Sequence, residues 1–209
     1  MKKLYSLIGV LSLSALSSLA SVVVPTSYTA TPGQGRAESG SYNYFDDTGK
    51  QLTDGVTGGN YWAADLGHGT AYEWVGWLTV DPTITFQFDK PVTINTVNID
   101  FNRAEGAGIY IPSSVTIGGT PFPLSQDALP NGSSGYLSFN DSWTGSSLTI
   151  NLTRRTGVIA GYASWVFVDE VTFDGVSAVP EPSTIIAGAL LLVPFGVSAI
   201  RYSLKTRVA

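Results

Sequence analysis

Apolar and polar residues alternate with a period of two in several short runs between residues 31 and 178. Successive side chains of a strand point to opposite faces, so each run predicts a strand with one buried face. The clearest runs have the apolar positions Ile84, Phe86 and Phe88; Val97, Ile99 and Phe101; and Leu148, Ile150 and Leu152. A shorter strand, Val115 to Ile117, precedes Gly118-Gly119, and the last, Trp165 to Phe173, is apolar on both faces. No stretch has the spacing of an amphipathic helix.

The segments between these runs are rich in turn-forming residues. They include Gly58-Gly59-Asn60, Asp89-Lys90-Pro91 and Pro130-Asn131-Gly132-Ser133. Seven or eight short strands separated in this way are typical of an all-β protein. The pattern therefore predicts a β-sandwich over residues 31–178.

The N-terminus has the pattern of a secretory signal. Lys2 and Lys3 precede an apolar stretch that runs from Leu4 to Ala20. Ser18-Leu19-Ala20 provides the small-x-small pattern of a cleavage site. We expect residues 1–20 to form a signal helix that is removed after export, with a second possible cleavage site near Ala30. An uncleaved anchor is the alternative.

The C-terminus contains a second apolar run. The sixteen residues from Ile185 to Ile200 carry no charge. As a helix they would rise about 24 Å, which is short of the roughly 30 Å of a bilayer core but workable with flanking residues and local thinning. The cations that follow, at Arg201, Lys205 and Arg207, favour the cytoplasmic side. Before the run, Pro180 and Pro182 cannot continue a helix. The pattern predicts a transmembrane helix over 185–200 that follows a stiff, exposed segment.

This order of parts resembles the sorting signal of the PEP-CTERM proteins of Gram-negative bacteria. The resemblance covers residues 179–209 and combines an apolar helix and a basic end with the motif Val179, Pro180, Glu181, Pro182, Ser183 and Thr184. In that family an exosortase recognises the tail and the body reaches the cell surface or the extracellular matrix. The resemblance implies an exosortase and, transiently, the inner membrane as partners.

Charge and composition narrow the remaining possibilities. The two ends hold five of the eleven cations but one of the sixteen acids, so the body between them has a formal charge of −9. A body this acidic repels nucleic acid. Cysteine is absent and there is one histidine, which excludes disulfides and a cysteine nucleophile and argues against a zinc site of the usual ligands.

A second resemblance covers roughly residues 40–176. The chain here resembles the galactose-binding-like, or discoidin-like, jelly roll. The resemblance rests on five sequence segments that follow one another in the order found in that fold: Leu52-Thr53-Asp54-Gly55; Trp74-Val75-Gly76-Trp77; Ile84 to Phe88 with Pro91 to Ile94; Ile111 to Val115; and Trp165 to Val171. In that family a turn near the first strand and a glutamate in the last strand bind a structural calcium ion. The matching positions here are Leu52, Asp54, Thr57 and Glu170. The alternative is that Asp54 makes only an Asx turn before Gly55 and that Glu170 pairs with an arginine.

In sugar-binding members of the same family, a histidine, an arginine and an aromatic platform contact the ligand. The matching positions are Tyr61, Trp62, His68 and Arg103. A flat ring with a few charged groups suits a sugar, which has an apolar face and a rim of hydroxyls. His68 is as readily a solvated loop residue. We expect Trp74, Trp77, Trp143 and Trp165 to belong to the core.

No arrangement of residues indicates catalysis. A Ser-His-Asp triad would have to use His68, and no Gly-x-Ser-x-Gly elbow accompanies it. Carboxylates suited to glycoside hydrolysis are numerous, but nothing in their spacing selects a pair; they include Asp65, Glu73, Asp100 and Glu105. We therefore expect an exported, non-catalytic protein that binds carbohydrate, such as the exopolysaccharide of its own cell. A purely structural matrix protein is the first alternative and a polysaccharide hydrolase the second.

Overall fold

The structure, a computed structural model, describes residues 21–36, 42–69, 71–156 and 164–177. The predicted signal helix, the Val179–Thr184 motif, the predicted transmembrane helix and the basic tail with Arg201, Lys205 and Arg207 all lie outside these residues. In the ranges that are described, no helix has the length and apolarity needed to span a membrane.

The described residues form strands joined by turns. The strands are β1 (Ser21–Val22), β2 (Ser27–Ala30), β3 (Gly35–Arg36), β4 (Tyr42–Asn43), β5 (Val75–Trp77), β6 (Thr83–Arg103), β7 (Ser114–Ile117), β8 (Thr120–Pro123), β9 (Ser133–Thr153) and β10 (Val166–Ser177). Two 3-10 turns, Glu105–Ala107 and Gln126–Ala128, are the helical elements of this part of the chain. The predicted all-β class is confirmed for the described residues.

Eight of the strands form one antiparallel sheet. Its main path runs β1-β10-β6-β9-β7-β8, with β2 paired to β6 and β5 paired to β10. The long strand β6 lies at its centre, because it pairs with β9 along one edge and with β2 and then β10 along the other. The short strands β3 and β4 pair separately.

Strand β6 folds back so that its two halves enclose one core. Phe173 of β10 is the register partner of Val97, yet its ring centroid lies 4.9 Å from that of Phe86. Phe86 and Val97 are eleven residues apart, which is about 36 Å along a straight strand. A contact at 4.9 Å therefore requires the sheet to turn over on itself, which gives the two facing layers of a sandwich.

The turn in β6 lies where the sequence predicts a loop, at Asp89-Lys90-Pro91. The strand β6 runs without a break through this segment, so the expected division into two strands is wrong and one strand spans both halves. The register nevertheless shifts between Gln87 and Val92, where β6 advances five residues while β9 moves back two, from Ser147 to Gly145. Extra residues in one strand bend a sheet, and Pro91 has no N–H to offer the ladder. The segment that the sequence predicts as a turn therefore forms a corner within one strand.

The main core consists of the apolar positions that the alternation predicts. Ile84, Phe86, Ile99, Phe101, Leu148 and Ile150 are each at most 1% exposed. Trp77 is also fully buried in this core, and its Nε1 donates to the carbonyl of Thr31 at 2.8 Å. Burial of aliphatic and aromatic side chains on this scale is the main driving force for folding in a chain without disulfides.

The paired sheet begins before residue 31. Ser21–Val22 pairs with Asp174 and Gly175 of β10, and Ser27–Ala30 pairs with Ile84 to Gln87 of β6. Cleavage after Ala20 would leave both strands in place, whereas cleavage after Ala30 would remove them.

Candidate functional site

An aromatic cavity lies at the end of the sandwich where β6 finishes and β9 begins. It has a volume of about 600 Å³. Its lining residues are Tyr44, Trp62, Ala104, Gly106, Ala107, Ile109, Asn131, Gly132, Trp165 and Phe167. Three of the aromatic residues, Tyr44, Trp165 and Phe167, also belong to a second apolar cluster, in which their ring centroids are 4.4 to 5.4 Å apart. The cavity therefore has rigid aromatic side chains on one wall.

Arg103 holds together the opposite wall of the aromatic cavity. Its Nη2 donates to Glu105 Oε1 at 2.6 Å, and its Nη1 donates to Asp127 Oδ1 at 3.1 Å and to the carbonyl of Leu129 at 2.6 Å. The hydrogen bond to Glu105 raises the pKa of Arg103 and lowers the pKa of Glu105. Since these bonds join the 3-10 turn to the segment before β9, Arg103 positions backbone on two sides of the cavity.

The backbone of this wall is closed by two further bonds. The N–H of Glu105 donates to Asn131 Oδ1 at 3.0 Å, and the N–H of Gly132 donates to the carbonyl of Arg103 at 2.8 Å. Gly132 has a φ of 81°, a conformation that favours glycine. The turn predicted at Pro130-Asn131-Gly132-Ser133 thus becomes part of the cavity.

The four residues expected to contact a sugar do not form one group. Trp62 lines the aromatic cavity, and Tyr61 lies beside it, 62% exposed, with its ring centroid 5.8 Å from that of Trp62. Arg103 is 9% exposed and its donors are engaged as described above. His68 lies in another loop, where its Nδ1 is 3.3 Å from Oε2 of the buried Glu73. The structure therefore brings Trp62 and Tyr61 together, leaves Arg103 next to the cavity with its donors occupied, and places His68 in another loop.

Sequence reasoning missed most of the cavity. No motif in the sequence around Tyr44 marks it as a site residue. Trp165 was expected to belong to the core, and at 7% exposure it does, but it also lines the cavity. Trp74 and Trp77 are fully buried as expected. The turn at Asn131-Gly132 was the available signal, because turn residues next to a strand end often carry function.

A group of acidic side chains lies on the outer face of the sheet, at a bulge in β10. Val168 pairs with Phe101 and Val171 pairs with Ile99, so β10 advances three residues while β6 moves back two. The extra residue places both Asp169 and Glu170 opposite Asp100. We call Asp54, Asp100, Asp169 and Glu170 the carboxylate cluster.

Loop 52–60 is bound to this bulge by hydrogen bonds. The N–H of Gly55 donates to Glu170 Oε2 at 3.0 Å, and the N–H of Gly58 donates to Asp169 Oδ2. The N–H of Val171 donates to the carbonyl of Leu52 at 2.8 Å. Gly58 packs so closely that a Cβ there would lie 2.6 Å from Nε1 of Trp74. The loop thus packs over Asp169 and Glu170, which are 1% and 4% exposed.

Burial disfavours the charged forms of Asp100, Asp169 and Glu170. Burial raises the pKa of Asp169 to about 8, the pKa of Glu170 to about 7 and the pKa of Asp100 to about 6. The N–H groups of Gly58 and Gly55 partly offset the shifts of Asp169 and Glu170, whereas Asp100 and Asp54 add to both. In the described part of the chain, no arginine or lysine pairs with Asp100, Asp169 or Glu170.

The residues expected to bind calcium meet in part. Glu170 contacts the turn at Asp54-Gly55, as the resemblance implies, and the alternative in which Glu170 pairs with an arginine is wrong for the described residues. Asp54 Oδ1 accepts the N–H of Val56 at 2.9 Å, which is the Asx turn of the other alternative. Leu52 is fully buried, with its carbonyl facing Val171, and Thr57 is exposed. In the ranges that are described, no three Asp, Glu or His side chains are grouped closely enough to hold a metal by themselves.

Comparison with known proteins identifies no family. No family model matches the chain, and no curated protein matches it. Among solved structures, the C-terminal domain of a chitobiase from Bacteroides fragilis is 15% identical over 76% of this chain and 100% of its own, with a TM-score of 0.45. The family 32 carbohydrate-binding module of C. perfringens NanJ, solved with galactose, is 10% identical over 75% and 99%, with a TM-score of 0.37.

A longer protein is also similar. A truncated AlyQ with CBM32 and alginate lyase domains is 12% identical over 77% of this chain, with a TM-score of 0.45. The match covers 34% of the AlyQ chain. At these identities and TM-scores, no functional assignment rests on any of the three.

We expect the melting temperature, measured with a chelator present, to fall as the pH rises from about 5 to about 8. The folded-state pKa values of Asp100, Glu170 and Asp169 lie above their unfolded values. Stability from their protonated forms is therefore fully present below about pH 4 and lost as the pH rises through about 6 to 8. Asp169→Asn should flatten this profile and raise the melting temperature at pH 8. An unchanged profile in that variant would contradict this account of the cluster.

Proposed function

We propose that the described domain is a non-catalytic carbohydrate-binding module that holds its ligand in the aromatic cavity. The observation that carries this proposal is a cavity of about 600 Å³ that is lined both by aromatic side chains and by the turn at Asn131-Gly132. A volume of this size is in the range of small-molecule sites. The galactose-binding-like jelly roll is part of the proposal, as the form of the sandwich that the sequence landmarks resemble.

The chemistry of the lining suits a sugar ring. Trp62 provides an aromatic surface against which the apolar face of a pyranose can stack. Asn131 uses its Oδ1 for the N–H of Glu105, so its Nδ2 can donate to a hydroxyl. Among the described residues that line the cavity there is no Asp or Glu, which favours binding over hydrolysis by a carboxylate pair. Asp65, Glu73, Asp100 and Glu105 lie outside the lining.

The test is a screen of the full chain against a glycan array, followed by calorimetry on any glycan that binds. Trp62→Ala should weaken binding at least about tenfold, since the loss of one stacked ring costs roughly 1.4 kcal/mol or more. Tyr61→Ala is the matched control, because this neighbouring ring is exposed and lies outside the lining. We expect it to change the affinity by less than about threefold.

Other outcomes would separate the competing hypotheses. If Tyr61→Ala or His68→Ala abolishes binding while Trp62→Ala does not, the sugar lies on the outer loops and not in the cavity. If no glycan binds, a structural matrix protein without a specific ligand becomes the better description. Turnover of a polysaccharide that is lost on a single carboxylate change would favour the hydrolase.

We further propose that the protein is exported by its N-terminal signal and sorted by an exosortase to the surface or matrix of a Gram-negative cell. The support comes from the two terminal patterns, and from strand β1 at Ser21–Val22, which begins directly after the expected cleavage site. Cleavage at Ala20 would preserve all eight strands of the sheet. Mass spectrometry of the protein from its native host should therefore find Ser21 as the N-terminus and should not find the hydrophobic C-terminal segment. Recovery of the intact chain from the cytosol would contradict this proposal.

We also propose that a structural calcium ion binds at the turn of loop 52–60. The donor types fit, because Asp54, Glu170, the carbonyl of Leu52 and Thr57 offer the hard oxygens that calcium prefers. Glu170→Gln should reduce the gain in melting temperature that excess calcium gives; a site saturated at one hundred times its Kd would contribute about 2.7 kcal/mol. An equal gain in wild type and variant would show that no ion binds through Glu170.

A further inference from the structure

Three buried side-chain oxygens beneath loop 52–60 have no hydrogen-bond donor in the described structure. They are Asp100 Oδ1, Asn102 Oδ1 and Asp169 Oδ1. The three residues are 3%, 1% and 1% exposed. A buried polar atom without a partner costs about 1–3 kcal/mol, and a charged one costs more, so three acceptors in one place call for a physical explanation.

Two of the three side chains are bonded to loop 52–60, and the third lies beside them on the sheet. Asp100 and Asn102 lie two residues apart on one face of β6, and the bulge places Asp169 next to them on β10. Asn102 Nδ2 donates to the carbonyl of Asn60 at 3.4 Å, while Asp169 Oδ2 accepts the N–H of Gly58. Both side chains are thus attached to the last three residues of the loop, which places their remaining oxygens beneath it.

Tyr136 lies on the same face of the sheet as Asp100. It is the register partner of Asp100 on β9, so the two side chains lie side by side on the outer face.

We propose that Asp100, Asn102 and Asp169 form a cation site beneath loop 52–60, and that its occupant is a divalent ion such as Ca²⁺. Two carboxylates and one amide oxygen form an all-oxygen donor set with two negative charges, which one divalent ion neutralises. This set contains only two acidic groups, so it differs from a site built on three Asp, Glu or His side chains. The carbonyl of Asn60, already beside Asn102, can supply a further ligand.

The proposed site differs from the calcium ion proposed at the turn of Asp54 and does not depend on it. Asp54 and Glu170 contact the first half of the loop, whereas Asp169 and Asn102 contact Gly58 and Asn60. An ion bound by Asp100, Asn102 and Asp169 would fix the segment that leads into Tyr61 and Trp62. The cation site would therefore also stabilise the entrance of the aromatic cavity.

The experiment is a calcium titration of the full chain in detergent, followed by thermal denaturation and by a count of bound ions with native mass spectrometry. In wild type, calcium should raise the melting temperature and a chelator should reverse the rise. Asp100→Asn and Asp169→Asn should lose at least tenfold in calcium affinity and one bound ion. In the presence of chelator the same variants should have a melting temperature no lower than that of wild type, because each removes a buried charge. This result would show that the variants fold.

Asp174→Asn is the matched control. Asp174 lies on the same outer face of β10 and accepts from Asn98 Nδ2 at 3.0 Å, outside the carboxylate cluster. This variant makes the same change of charge and should keep the calcium response of wild type. A weaker response in Asp174→Asn equal to that of Asp169→Asn would reduce the effect to general electrostatics and overturn the proposal.

Two further results would overturn it. If Asp54→Asn and Glu170→Gln abolish calcium binding while Asp100→Asn and Asp169→Asn retain it, the ion lies at the turn alone. If wild type responds to neither Ca²⁺ nor Mg²⁺, the three oxygens are satisfied by water and no cation site exists. Glycan binding measured in chelator separates this failure from a failure of the proposed function, because the aromatic cavity can bind a sugar without the ion.

Discussion

The corner in β6 is the constraint on which the rest of the structure depends. Because the strand turns over between Gln87 and Val92, its two halves face each other, and Phe86 and Phe88 meet Phe173 at 4.9 and 5.6 Å. Aromatic contacts of this kind add to the hydrophobic stabilisation of a core. In a chain without cysteine, this closure replaces covalent links as the means of holding distant segments together. Without the corner the same residues would form an open sheet with one exposed apolar face.

The closed sandwich leaves an outer face that is not apolar, and the loops between β4 and β5 cover part of it. Loop 52–60 lies there through bonds from its N–H groups to Asp169 and Glu170. Bonds from backbone N–H groups to carboxylates are strong, but here they hold Asp169 and Glu170 close together at 1% and 4% exposure. The arrangement is therefore stable only if protons, a cation or water compensate the charge. Stability and charge state are coupled at this point of the fold.

The aromatic cavity depends on a different set of long-range contacts. Arg103 ends β6, and its guanidinium ties Glu105 to the segment around Asp127 and Leu129. Arg103 was expected to contact a ligand, but it positions the backbone next to the cavity. The resemblance implied that Arg103 contacts a sugar, and the structure has it as the last residue of β6, next to the cavity. The resemblance could not show that nearby acids occupy the donors of Arg103, since Asp127 is twenty-four residues away in the chain.

The sequence by itself determined the all-β class, the buried face of the clearest strand segments, several of the turns and the acidity of the body. These features follow from local rules, because alternation and turn residues act over a few neighbouring positions. Only the tertiary structure decided that Asp89-Lys90-Pro91 forms a corner within a strand, that Asp169 and Asp100 are buried side by side, and that Tyr44 and Trp165 meet Trp62 around one cavity. Such features depend on pairing between residues far apart in the chain, and local patterns do not show which strands pair, where a bulge lies or which way it turns a side chain.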